Sequence, residues 1–140
     1  MPDSVDRVAI DTAVAIATLD SGHAAHATCR ALVLERRPVL AGHAAFETYS
    51  VLTRMPGALS IDAPTAAAAI SAVFPEVCWL RPLDADALLV RLGAIGITGG
   101  AVYDALVGEA ARTNDRRLLT RDGRARRTYE LLGVAVELVT

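Results

Sequence analysis

The chain has 140 residues, 53% hydrophobic and 21% charged, with a net charge of −2, the size and balance of one folded domain that hides roughly two-thirds of its unfolded surface. Disorder, a disulfide scaffold and a membrane span are excluded. Cys29 and Cys78 lack the paired spacing of a zinc site, and no apolar run reaches the ~18 residues needed to cross a bilayer.

All 14 basic residues are arginine, which removes Schiff-base, P-loop and serine–lysine chemistry, each of which needs an ammonium group. The first residues carry Asp3, Asp6, Asp11 and Asp20 and do not read as a signal peptide. The expectation is one soluble, cytoplasmic domain spanning 1–140.

Short apolar runs alternate with longer helical patterns along the chain. Val8-Ala9-Ile10 predicts a buried strand, and 12–18 and 23–36 predict helices parted by Ser21-Gly22. Residues 38–41 predict a second strand, and 43–54 a helix stopped by Met55-Pro56-Gly57. A helix over 64–73 starts on Pro64, a residue suited to a first turn. A strand over 77–80, a helix over 84–95, a Gly99-Gly100 break and a helix over 101–112 follow. Residues 117–120 predict a strand, 123–132 a helix ending at Gly133, and 134–139 a last strand. Strands separated by helices imply a parallel sheet covered on both faces, with ligands beyond the carboxyl ends of the strands.

Four acids stand out by position. Asp11 directly follows the first strand, and Asp122 follows the fourth by one residue after Thr120, so both emerge at one rim of the sheet. Glu47 lies on an otherwise apolar helix, and Asp104 sits near the start of the AVYDALVGEAA helix. Converging carboxylates about 4 Å apart would repel by something like 4 kcal/mol at a dielectric of 20, so such a cluster needs cations or protons. An all-oxygen site favours magnesium or manganese over zinc, and such ions support hydrolysis of phosphodiesters. Each acid also has a structural reading: Asp11 as a helix cap, Asp104 as first-turn charge, Asp122-Gly123 as a turn, and Glu47 paired with Arg54.

Charge is uneven. Residues 1–111 hold seven Arg against twelve acids, and 112–140 hold seven Arg against four. Arg112, Arg116, Arg117, Arg121, Arg124, Arg126 and Arg127 would meet a phosphate backbone if they share a face; otherwise they are a solvated surface. His43, one turn before Glu47, His23 with His26, Asp84 with Asp86, and the 96–100 segment GITGG carry weaker signals, each with a local structural role.

The ordered set formed by Asp11-Thr12 after a strand, Glu47 in FETYSVLTRMP, Asp104 in YDAL and LLTRD ending in Asp122 resembles the PIN-domain ribonucleases, and within them the VapC-type toxins. The resemblance implies a three-layer α/β/α fold with a central parallel sheet of about five strands. It implies an acidic cluster of Asp11, Glu47, Asp104 and Asp122, with Asp11, Asp104 and Asp122 holding Mg2+ or Mn2+ and with Thr120 and Thr12 as hydrogen-bonding support. It further implies an RNA substrate met by Arg54, Arg112, Arg116, Arg117, Arg121 and Arg124. The implied partners are a cognate VapB-type antitoxin and a second copy of the chain, as a homodimer and, with antitoxin, a heterotetramer or larger.

Ala13 departs from the family, which commonly has Ser or Asn there. The mean hydropathy of +0.37 suits surfaces hidden against partners, for which 23–34 and 63–73 are the candidates. Two alternatives stand beside this reading: phosphate transfer on a receiver-like or dehalogenase-like sheet, and a non-catalytic binding module of the same fold.

Overall fold

Ile10 ends the first strand fully enclosed, and Asp11 turns the chain there. Its backbone stays extended while its carboxylate accepts from the Val14 N–H, which caps the helix that follows. The computed structural model describes residues 7–56 and 61–140. The elements are β1 (Val8–Ile10), α1 (Thr12–Leu19), α2 (His26–Arg36), β2 (Val39–Ala41), α3 (Ala44–Arg54) and α4 (Ala63–Val73). They continue with β3 (Val77–Cys78), α5 (Pro82–Ile95), α6 (Ala101–Thr113), β4 (Arg117–Thr120), α7 (Gly123–Leu132) and β5 (Val136–Leu138).

The five strands form one parallel sheet in the order β3-β2-β1-β4-β5. The chain leaves β1 toward β2 and β3, then returns to the other side for β4 and β5. The β1–β4 boundary is therefore the topological switch point, where open α/β sheets bind their ligands. Receiver-like sheets run 2-1-3-4-5, so this order sets the receiver-like half of that alternative aside. Helix α1 packs on α2 and α3, and α3 on α4, while α6 packs on α5 and α7. With right-handed crossovers, the first four helices cover one face and the last three the other, the three-layer arrangement expected.

Burial drives the assembly. Val8, Ile10, Leu40, Leu118 and Leu119 are sealed in the sheet, each contributing about 1.5–3 kcal/mol from removal of apolar surface from water. Gly42, at φ +46°, links β2 to α3; a Cβ there would stand 2.9 Å from the Ala110 Cβ on α6. The missing side chain lets the start of α3 approach α6.

Element ends differ from expectation for local reasons. The second helix starts at His26 rather than His23, because Asp20 accepts from Gly22 N–H and the His23 ring from Ala25 N–H, closing a turn between them. Arg81 pairs with Asp84 at 2.7 Å and the fifth helix starts at Pro82. Val134 gives its N–H to Tyr129 O at the Gly133 cap, so the last strand begins only at Val136. The third strand keeps two residues of the four expected. Met55, extended ahead of Pro56, ends α3; Gly57, and Asp3 and Asp6 at the start, lie outside the described residues.

Candidate active site

The carboxyl ends of the central strands carry the acids. Asp11, 3% exposed, uses Oδ1 to cap α1 through Val14 N (3.2 Å). Its Oδ2 accepts from the Thr120 hydroxyl and, at 3.1 Å, from the Tyr129 hydroxyl. The Thr120 oxygen in turn accepts from Asp122 N at 3.0 Å, so one hydroxyl at the end of β4 ties the two strand-end acids together. Burial is the main force on Asp11 and, with the nearby Asp122 charge, overrides these hydrogen bonds to push its carboxyl up to about 6.

Asp122 caps α7, accepting from Arg124 N at 2.9 Å and Ala125 N at 3.3 Å. Asp104 and Glu47 stand in the first turns of α6 and α3. All four acids thus sit at helix N-termini, where the dipole favours negative charge. The capping role read for Asp11 and the first-turn role for Asp104 are realised, while Asp122 caps α7 rather than forming a turn with Gly123, alongside the electrostatic coupling of the group.

Burial, then the Asp122 charge, raises the Asp104 carboxyl against the pull of Arg124. Burial, then Asp104 and Asp11, raises Glu47. The four carboxylates are therefore coupled by repulsion. Among the described residues no three His, Cys, Asp or Glu side chains are gathered closely enough to hold a metal ion.

Glu47 Oε1 is buried without a hydrogen-bond partner, and His43 Nε2 lies 4.0 Å from it. Arg54, exposed at the last turn of α3, makes no ion pair with Glu47. The Thr12 hydroxyl is also buried without a partner, so it supports none of the acids by a hydrogen bond.

The arginines do not share a face. Arg121 and Arg124 flank Asp122 beside Ala13 and His23 in an open groove at the carboxyl rim. Arg117 begins β4 and Arg116 precedes it, so both lie at its amino end; Arg116 contacts Val8 O (3.3 Å) and Arg117 contacts Glu137 (3.9 Å). Arg112 is eight residues beyond Asp104 on α6, about 12 Å along the axis, and is fixed on Glu109 at 2.7 Å. A strand of four residues and a helix running back across the sheet separate positions that look adjacent in the sequence.

Tyr129 was not singled out by sequence reasoning. Its signal is the burial pattern of α7, where Ala125, Thr128, Tyr129 and Leu132 face inward and a buried phenol must find a partner. Burial and the neighbouring Asp11 charge hold that phenol protonated, a standing donor to Asp11. Its ring fits because residue 108 is glycine: a Cβ there would stand 2.8 Å from Tyr129 Cδ1.

The family profile described as PIN domain matches residues 8–131. Ribonuclease VapC27 of Mycobacterium tuberculosis is 45% identical over 129 residues, 92% of this chain and 94% of that protein. Ribonuclease VapC40 of the same species is 45% identical over 139 residues, 95% of this chain and 99% of that protein. The crystal structure of Mycobacterium tuberculosis VapC20, a sarcin-ricin loop cleaving toxin, superposes with a TM-score of 0.63 at 21% identity, covering 86% of this chain and 93% of that one.

Proposed function

The chain belongs to the PIN-domain family, and from that premise we propose that it is a metal-dependent endoribonuclease toxin of the VapC type, neutralised by a cognate VapB-type antitoxin. The observation that carries this reading is the mutual repulsion of Asp11, Glu47, Asp104 and Asp122 at the switch point of the sheet. The carboxyls of Asp11, Glu47 and Asp104, raised by burial and by neighbouring carboxylates, call for a cation from outside.

Asp11, Asp104 and Asp122 would hold Mg2+ or Mn2+, with Glu47 beside them. The donors fit such an ion in kind: all are carboxylate oxygens, the buried Glu47 Oε1 has no hydrogen-bond partner, and an ion that keeps several waters can be held through them by acids that are not gathered into a direct cage. When bound, the ion supplies an activated water and shields the charge of the phosphodiester. Thr120 and Tyr129 hold the Asp11 carboxylate in one orientation, and Asp122 keeps its place through the α7 cap. Arg121 and Arg124 are the arginines of the proposed set beside the acids, and both are exposed to meet phosphate.

The test is RNA cleavage by wild type and Asp104→Asn, in magnesium and in EDTA. Cleavage should stop in EDTA and fall on the order of a hundredfold or more in the variant, with an unchanged circular dichroism spectrum. Equal rates for variant and wild type would overturn the assignment.

Partner surfaces accompany this reading. Leu83, Leu89 and Val90 stand open on α5, a face suited to a second copy. The two segments singled out for partners, 23–34 and 63–73, border one cavity of about 860 Å³ through Val33, Leu34, Ala72 and Val73. An apolar segment of the antitoxin would fill it.

A further inference from the structure

The chain is poor in aromatic residues, with one Trp, three Tyr and two Phe, yet it places three of them in the open at one spot. Phe74 and Tyr129 are core, whereas Phe46, Trp79 and Tyr103 are 61%, 49% and 54% exposed. With His43 these rings form a continuous row. Tyr103 and His43 lie 5.6 Å apart and 22° from parallel, His43 and Phe46 6.3 Å apart, and Phe46 and Trp79 5.6 Å apart.

The row borders the acids. Phe46 precedes Glu47, Tyr103 precedes Asp104, and His43 reaches within 4.0 Å of Glu47. Trp79 follows β3 and His43 follows shortly after β2. Across the carboxyl rim in sheet order, the molecule therefore presents Trp79, His43, Asp11 and then Arg121 with Asp122. Rings occupy one flank, carboxylates the middle and arginines the other flank.

Resting on the ribonuclease reading, we propose that the row of Trp79, Phe46, His43 and Tyr103 is a stacking platform that holds the nucleobases flanking the scissile phosphate. Every base has a π face, so exposed rings hold unpaired bases with little regard to sequence, whereas paired bases in a duplex offer no free face. The position favours RNA over a protein partner. The rings border the acids through His43 and Glu47 and lead across the rim to the arginines.

Trp79 is the only tryptophan, so its emission reads the platform directly. The experiment titrates Asp104→Asn protein in EDTA with an unpaired RNA oligonucleotide and with the same sequence as a duplex, and follows Trp79 fluorescence. The unpaired strand should quench it saturably and the duplex should not. Phe46→Ala should weaken binding about tenfold; in the otherwise native enzyme the loss should fall on KM rather than kcat. Phe46→Trp should restore binding and Phe46→Leu should not, since leucine fills space without a ring face.

Equal quenching by duplex, full binding by Phe46→Leu, or a signal that changes only with protein concentration would overturn the proposal, the last by making the row a contact between copies. Wild-type cleavage without quenching would sink the platform alone. Absence of cleavage in magnesium would sink the ribonuclease reading.

Discussion

Two buried carboxylates, one at the end of β1 and one on α6, receive opposite treatment. Glu109, 1% exposed, sits toward the far end of α6 from the acidic rim, with Arg91 and Arg112 at 2.8 and 2.7 Å. Burial works to raise its carboxyl, but the hydrogen bonds and charges of those arginines prevail and hold it below the ordinary range. Asp11, 3% exposed, receives hydroxyls and one backbone N–H but no cation, and its carboxyl goes up. A carboxylate that serves the fold is neutralised from within; one kept for a ligand is left wanting. The contrast separates the two kinds of acid better than burial does.

The largest effect expected from this contrast is on stability when the internal neutralisation is broken. Glu109→Ala leaves two arginines without their shared partner and should destabilise the protein by about 3 kcal/mol, measured by urea unfolding. Cleavage per folded molecule should persist. A loss of cleavage with stability intact would mean that Glu109 belongs with the acidic rim after all.

Next comes the pH response of the metal-free protein. The folded Asp11 carboxyl titrates at about 6 against an ordinary 3.8, so the folded chain holds this proton more tightly than the unfolded one. The resulting stabilisation is fully present below the ordinary value and disappears as pH rises through 6, a loss of about 3 kcal/mol. Glu47 and Asp104 are displaced in the same direction. Chemical denaturation between pH 4 and 7.5 in EDTA measures it, and magnesium at pH 7.5 should raise the melting temperature. A stability flat with pH would remove the basis of the contrast.

Asp11→Asn sharpens the point with a smaller shift. Asparagine caps a helix as well as aspartate does, and its neutral amide relieves the repulsion. The variant should gain about 2 kcal/mol in EDTA at pH 7.5, lose most of the pH response and cease to cleave RNA. Destabilisation instead would assign Asp11 to the fold.

Smallest is Gly108→Ala, whose methyl would meet the Tyr129 ring. It should cost about 1 kcal/mol and reduce cleavage by moving the phenol that steadies Asp11. Unchanged cleavage would deny Tyr129 that part.

The sheet was legible because its strands are short apolar runs and the acids follow them directly: Asp11 after Ile10, Asp122 just beyond Thr120. Such placement depends only on the carboxyl ends of parallel strands sharing a rim. What stayed hidden depends on distant segments meeting. The run from Arg112 to Arg127 reads as one positive stretch, but β4 carries its members from one end of the sheet to the other. Tyr129 reads as an ordinary inward residue of an amphipathic helix until α7 brings it to Asp11. The ring row needs β3 at the edge, the first turn of α3 and the first turn of α6 together, and neither helical nor strand periodicity relates Trp79 to Tyr103. The start of the second helix was displaced by side-chain hydrogen bonds at Asp20 and His23 that periodicity does not register.

Asp11 lies near the beginning of the polypeptide, yet the hydroxyls that steady it arrive 109 and 118 residues later. During synthesis, β1 waits for β4 to fill the neighbouring place in the sheet, and the acid waits for α7. A nascent chain from which α7 has not yet emerged therefore lacks the assembled centre.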